Sequence, residues 1–173
     1  PYTPFHRSPE QSEILATLLE RGRSTPGDRV AVIDLDGCLF DTRPRQTHIY
    51  RELAGQEGWD DLARIELDHF QDWSIRNTLS NIGLSAQRVD EIHDAVSAYW
   101  FKTFFTSEYV RFDHAMPGGP DLVRQLHREG TYVVYLTGRD ETMREGTEAS
   151  LRKFGFPLGD NATLIVKPDF ETD

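Results

Sequence analysis

Two carboxylates stand two residues apart in Asp34-Leu35-Asp36-Gly37, directly after the apolar run Val30-Ala31-Val32-Ile33. Acids this close can hold a hard divalent cation such as Mg2+ through oxygen. They can also divide labour: one stays ionised as a nucleophile while the other, with raised proton affinity, works as acid and base. In extended backbone, residues i and i+2 share a face. Gly37 permits a tight turn that re-aims one carboxylate and lets the backbone approach a ligand. A lone Asp-x-Asp is also what two solvated loop acids or capping groups look like. The apolar run before this pair, and Leu39-Phe40-Asp41-Thr42 behind it, favour the chemical reading. Two further reactive groups occupy comparable places. Thr137 follows the apolar run Tyr132–Leu136 and opens Thr137-Gly138-Arg139; Lys167 follows Thr163–Val166 and precedes Pro168.

The elements that must position these groups read as follows. Residues 8–21 form a helix, with Ser8 as cap, Pro9 in the first turn and an apolar stripe of Ile14, Leu15, Leu18 and Leu19. A loop with Pro26-Gly27 leads to the first strand, Val30–Ile33. Its unbroken apolar character suits a strand buried on both faces of a parallel sheet. Residues 43–109 read as three helices, about 45–57, 60–80 and 85–105, the last with Val89, Ile92, Val96, Trp100 and Phe104 at helical spacing. This block holds Trp59, Trp73 and Trp100, and looks like a helical insertion with its own small core. Beyond Pro117-Gly118-Gly119-Pro120, a helix over 121–129 stops at Gly130. The strand Thr131–Leu136, a helix over about 141–154 and the strand Thr163–Val166 complete the pattern.

Strands alternating with helices imply βαβ units and a parallel sheet, here a three-layer α/β core. In such sheets ligands bind beyond the carboxyl ends of the strands. All three strands end in groups suited to chemistry.

The bulk properties set limits. The chain has 173 residues, enough for one domain with an insertion. Its 19 basic and 29 acidic side chains give a formal net charge of −10, which disfavours a nucleic-acid backbone binder but not a small anion held locally. A single cysteine excludes an internal disulfide framework. No apolar run approaches the ~20 residues that span a bilayer, so a cytoplasmic protein without membrane attachment is expected. The six histidines show no zinc-ligand spacing. Cys38, with no base beside it in sequence, reads as a filler rather than a nucleophile.

Asp34-Leu35-Asp36-Gly37-Cys38-Leu39-Phe40-Asp41-Thr42 resembles the first signature of the haloacid dehalogenase (HAD) superfamily, with Cys38 where Thr is commonest. Leu136-Thr137-Gly138-Arg139 resembles the second motif and Lys167-Pro168 the third, in family order. The resemblance implies a Rossmann-like HAD core over residues 1–42 and 110–173, with 43–109 as an inserted all-helical cap. It implies Mg2+-dependent hydrolysis of a small phosphorylated metabolite. Asp34 would form an aspartyl-phosphate. Asp36 would protonate the leaving oxygen, then activate water, and its backbone carbonyl would join Asp34 in binding Mg2+. Thr137 would hydrogen-bond a phosphoryl oxygen, and Lys167 would neutralise charge. The acid at position 36 favours phosphatase over dehalogenase. Gly138 and Arg139 are candidate substrate-binding positions, Arg139 reaching a second anionic group. In the cap, His48, Arg51, Arg76 and the tryptophans are candidate contacts, although a tryptophan at helical spacing is more often core.

The family's fourth, acidic motif has no counterpart before Asp173, where the sequence stops. The core is therefore expected to be C-terminally incomplete, leaving Val30–Ile33 as an exposed apolar sheet edge. Two other functions share the same residues: a phosphotransferase using Asp34, and a non-catalytic binding or regulatory module. Substrate identity and oligomeric state stay open.

Overall fold

The computed structural model describes residues 9–24 and 28–171. The expected Ser8 cap and Pro26-Gly27 loop lie outside them. In chain order the elements are α1 (Pro9–Ser24), β1 (Val30–Ile33), β2 (Phe40–Asp41), α2 (Arg43–Glu57), α3 (Ile75–Asn81), α4 (Ala86–Phe104) and α5 (Ser107–Val110). There follow β3 (His114–Ala115), α6 (Gly119–Arg128), β4 (Tyr132–Asp140), α7 (Arg144–Lys153) and β5 (Ala162–Lys167). The chain divides into two compact units, Pro1–Asp41 with His114–Asp173, and Thr42–Asp113.

The first unit is mixed α/β. Its main sheet is parallel with strand order β1-β4-β5, and β2 and β3 form a small antiparallel pair. Val30–Ile33 register with Tyr132–Tyr135, and Val133–Leu136 with Ala162–Ile165. One face carries the core: Val133, Tyr135, Ala162 and Leu164 pack with Val123 of α6, Leu151 of α7 and the loop residues Leu35 and Leu39. The helix α6 starts after Gly118, held at φ 82°, with Pro120 in its first turn. Asp121 near its start and His127 and Arg128 in its last turn complement the helix dipole.

The opposite face corrects the sequence reading. Val30 is 62% exposed and Val32 60%, and Tyr132, Leu136 and Ile165 are exposed beside them. An uninterrupted apolar run therefore does not mark a strand buried on both faces here. The helices α6 and α7 contribute to one and the same core cluster, so the sheet is buried on that side and open on the other at these positions. The strand β1 is an edge of the sheet, as expected. An apolar groove of about 980 Å3 runs beside it, lined by Ile14 and Leu18 of α1, Val32 of β1 and Leu122 of α6.

A second correction concerns β4. The expected strand stops at Leu136, but the extended backbone continues to Asp140, with a register irregularity between Leu136 and Asp140. Thr137 and Arg139 continue the inward set of Val133 and Tyr135 at period two. Polar side chains ended the apolar run without ending the strand, because β5 continues alongside as far as Lys167.

The second unit is helical around Ile49, Tyr50, Leu53, Leu62, Ile65, Leu79, Val89, Ile92, Val96, Trp100 and Phe104. The expected helix over 60–80 is replaced by 3-10 turns at Leu62–Arg64 and Leu67–His69 and the short α3. Local side chains compete with the helical ladder. Asp61 accepts from the Leu62 amide at 2.9 Å. Glu66 donates its amide to His69 Nδ1 at 2.9 Å, and Asp72 accepts from the Ser74 amide at 2.7 Å. Ser74 and Ser85 cap α3 and α4 by accepting from the Asn77 and Arg88 amides. Trp100 is core, whereas Trp73 is 58% exposed. No helix among the described residues is long and apolar enough to cross a membrane.

The helical unit contains a buried ion pair. Arg45 Nε donates to Asp113 Oδ1 at 2.7 Å and Nη2 to Oδ2 at 2.6 Å, while Nη1 donates to the Phe104 carbonyl at 2.9 Å. Both side chains are fully buried. The pair ties the first turn of α2 to the end of the unit, which runs a few residues past position 109 to Asp113.

Candidate functional site

The turn after β1 is wound around one carbonyl. Leu35 O accepts the amides of Cys38 at 3.2 Å, Leu39 at 2.9 Å and Phe40 at 2.8 Å, and the Gly37 amide donates to Phe40 O at 2.9 Å. Leu35 is fully buried and anchors the turn. Gly37 sits at φ 75°, in the left-handed region. A Cβ there would meet nothing within 4 Å, so the cost of a side chain is conformational. Gly37→Ala is expected to lower stability by about 1–2 kcal/mol, read from the chemical denaturation midpoint.

This turn separates the two acids. Asp34 is exposed, its Oδ1 accepting the Leu35 amide at 2.7 Å. Asp36 is only 23% exposed at its side chain and is gripped by Arg139 of β4. Arg139 Nε donates to Asp36 Oδ2 at 3.1 Å and Nη2 to Oδ1 at 2.5 Å. The remaining arm of the fork, Nη1, donates to Thr147 Oγ1 of α7 at 3.0 Å. The guanidinium carbon lies 5.6 Å from the centre of the Phe40 ring.

Arg139 therefore differs from the sequence expectation. It was to reach an anionic group on a substrate, but it is 2% exposed and its guanidinium serves Asp36 and Thr147. The inward alternation along β4 explains this: position 139 falls on the core face. Gly138 falls on the outer face and is exposed. Thr137 is buried, and its Oγ1 accepts the Arg139 amide at 3.3 Å. Lys167 is partly buried at the end of β5, in register with Asp140.

Asp34 and Asp36 follow the carboxyl end of β1, Thr137, Gly138 and Arg139 lie in the last four residues of β4, and Lys167 ends β5. The structure brings Asp36 and Arg139 into contact. Among the described residues it forms no bond linking Asp34, Thr137 and Lys167 to one another. Cys38 is exposed, and partial desolvation of its sulfur, followed by the Asp34 carboxylate, pushes its thiol above the ordinary range. The neutral thiol suits a filler better than a nucleophile.

Two residues of this region were not singled out by the sequence. Asp140 is buried and accepts from the Thr142 amide at 2.9 Å and hydroxyl at 2.5 Å, capping the 3-10 turn Glu141–Met143 ahead of α7. The Asp-x-Thr pattern just before a helix was the available signal. Thr147, fully buried in mid-helix, had none.

For a hard cation, the described residues contain no group of three or more His, Cys, Asp or Glu side chains placed to hold a metal. The Asp36 carboxylate is occupied by Arg139, so it is not offered as a ligand. Asp34 presents an exposed carboxylate. One carboxylate with a backbone carbonyl, water and substrate phosphate is a donor set of the kind Mg2+ accepts.

The candidate contacts of the helical unit are engaged within it. His48 stacks on Phe112 with ring centres 3.7 Å apart, Arg51 donates to Ile65 O at 2.7 Å, and Arg76 pairs with Asp90 at 2.6 Å. Glu52 accepts both the Tyr109 hydroxyl and the Tyr99 hydroxyl, the latter at 2.9 Å. The Tyr109 bond foremost, with help from Tyr99, His48 and Arg111, holds the Glu52 carboxyl below its ordinary value. A carboxyl depressed by folding contributes stability above its unfolded value and loses that contribution as pH falls through the folded one. Glu52→Gln is accordingly expected to flatten the acid limb of stability against pH below the ordinary glutamate value. Denaturation midpoints across an acid series measure this, and an unchanged acid limb would contradict it.

No protein-family model matches the chain, and no curated protein matches it.

Proposed function

We propose that the chain is the phosphohydrolase its motifs suggest, resembling the HAD superfamily, with Asp34 as nucleophile and a small phosphorylated metabolite as substrate. The observation that carries this reading is an exposed carboxylate, Asp34, two residues from a second acid held rigidly by Arg139, at the carboxyl end of a parallel sheet. Residues 43–109 would then be the helical cap that selects substrate.

In the first half-reaction an Asp34 oxygen attacks phosphorus. The bond to the leaving oxygen breaks with its electron pair, and Asp36, which must enter this step protonated against the pull of Arg139, supplies the proton. In the second half, Asp36 takes a proton from water, whose oxygen attacks phosphorus. The bond to Asp34 breaks, restoring its carboxylate and releasing inorganic phosphate. Lys167 and the Thr137 hydroxyl are the groups that would meet negative charge on the phosphoryl oxygens. Asp34 and the Asp36 backbone carbonyl would hold Mg2+, which when bound neutralises charge on the transferring group. The net charge of −10 argues against a nucleic-acid substrate, and a cytoplasmic setting suits a metabolite phosphatase.

The test is release of inorganic phosphate from p-nitrophenyl phosphate, with Mg2+ or with chelator, by the wild type and Asp34→Asn. Mg2+-dependent release that requires Asp34 supports the reading. Phosphate passed to an added alcohol instead of water would identify a phosphotransferase. Binding of phosphate esters without turnover would identify a binding module.

A further inference from the structure

We infer that Thr147 of α7, acting through Arg139, is the positioning residue that aims the Asp36 carboxylate; this rests on the phosphohydrolase reading. Asp36 sits in a turn rather than a strand or helix, with two side-chain torsions of its own. An acid that must deliver a proton to one oxygen and later take one from water has to be held to within a fraction of an ångström. Arg139 does the holding: Nε and Nη2 meet the two carboxylate oxygens in the planar fork geometry that only a guanidinium offers.

Arg139 has to be held in turn, since its side chain is among the most flexible. It is 2% exposed, its guanidinium carbon lies 5.6 Å from the centre of the Phe40 ring, and its third arm, Nη1, donates to Thr147 Oγ1. Thr147 is fully buried in the middle of α7. A hydroxyl costs free energy there unless it is bonded. A valine would fill the same shape without that cost, and the bond to Arg139 explains why the position is polar. The result is a relay of three segments: α7 fixes Arg139 of β4, and Arg139 fixes Asp36 in the turn after β1. Thr147 needs no contact with substrate to govern the proton-transfer step.

The test uses the full-length protein and two substrates of different leaving ability, p-nitrophenyl phosphate and an alkyl phosphate. A poor leaving group needs the proton from Asp36 more than nitrophenolate does. Thr147→Val is expected to lower kcat on the alkyl phosphate by about ten- to a hundredfold, with KM within about twofold and a smaller loss on the aryl ester. Thr147→Ser, which keeps the acceptor, is expected to restore most of the loss. Arg139→Lys, which cannot span both oxygens, should reproduce the valine pattern. A Thr147→Val enzyme matching wild type, or losing equal activity on both substrates, would overturn the relay, as would a serine variant no better than valine.

A readout without turnover separates this inference from the phosphohydrolase reading. The Arg139 Nε–H, held by its bond to Asp36 Oδ2, should exchange with solvent faster in Thr147→Val than in wild type at one fixed pH, as read by 15N NMR, and Thr147→Ser should restore most of the protection. If the wild type released no phosphate, the proposed function would fail, and this exchange rate would still decide the relay. Equal exchange in Thr147→Val and wild type would reject it.

Discussion

Removing the Asp113 carboxylate alone, as in Asp113→Ala, is expected to cost the helical unit about 3–5 kcal/mol of stability. Both members of the Arg45–Asp113 pair are fully buried, and both carboxylate oxygens are engaged. The variant would leave a guanidinium buried without the carboxylate that balances its charge, although it keeps its bond to the Phe104 carbonyl. An uncompensated buried charge is costly. Replacing both partners, as in Arg45→Met with Asp113→Leu, removes the stranded charge as well and should recover most of the loss. Trp59, Trp73 and Trp100 all lie in Thr42–Asp113, so tryptophan fluorescence during urea unfolding reports this unit directly. The exposed pair Arg76–Asp90 is the control: Asp90→Ala should change stability by less than about 1 kcal/mol. Equal effects at both pairs would show that burial does not set the scale.

The same pair illustrates what the sequence could and could not reveal. The helix α4 was readable because Val89, Ile92, Val96, Trp100 and Phe104 repeat at 3.6-residue spacing, and each is buried. The three strands of the parallel sheet were readable from their apolar runs, apart from the end of β4, whereas the two-residue strands β2 and β3 gave no such signal. Arg45 and Asp113 carry no such signal, because a buried ion pair is a meeting of residues distant in sequence. Local chemistry hid the 3-10 turns, where Asp61, Glu66 and Asp72 divert backbone amides from a helix that composition alone would allow. The open face of the sheet was hidden for the opposite reason: apolar content says that a side chain can be buried, not that something covers it.

At the candidate site, types and spacing brought out Asp34, Asp36, Thr137 and Lys167 because each ends or follows an apolar run. The role of Arg139 was missed because its direction depends on where β4 ends. With the strand stopped at Leu136, Arg139 belongs to a loop and points outward. With the strand running to Asp140, alternation turns it inward onto Asp36. Four residues of strand length thus separate a substrate ligand from an internal brace. Thr147 depends on that same turn, since its partner must first point inward.

If Asp34 is the nucleophile proposed above, Asp34→Asn is expected to reduce phosphate release by at least about a thousandfold, on the order of 4 kcal/mol of barrier. The substitution is small in every other respect. The asparagine carbonyl can still accept the Leu35 amide, and the side chain is exposed, so the turn around Leu35 O should persist. What disappears is the negative charge and the nucleophilic oxygen, since an amide does not attack a phosphate ester. Asp36→Asn provides the contrast. Its amide NH2 would face a guanidinium N–H, donor against donor, so the Arg139 grip would break while the nucleophile survives. That variant should fail most on alkyl phosphates and retain more on p-nitrophenyl phosphate. Quenching turnover in acid and weighing the protein gives the direct observation: the mass of one phosphoryl group gained by Asp36→Asn and absent from Asp34→Asn. Phosphate release unaffected by Asp34→Asn would remove the nucleophile from the proposal. A phosphoryl group found on any other residue would move the chemistry there.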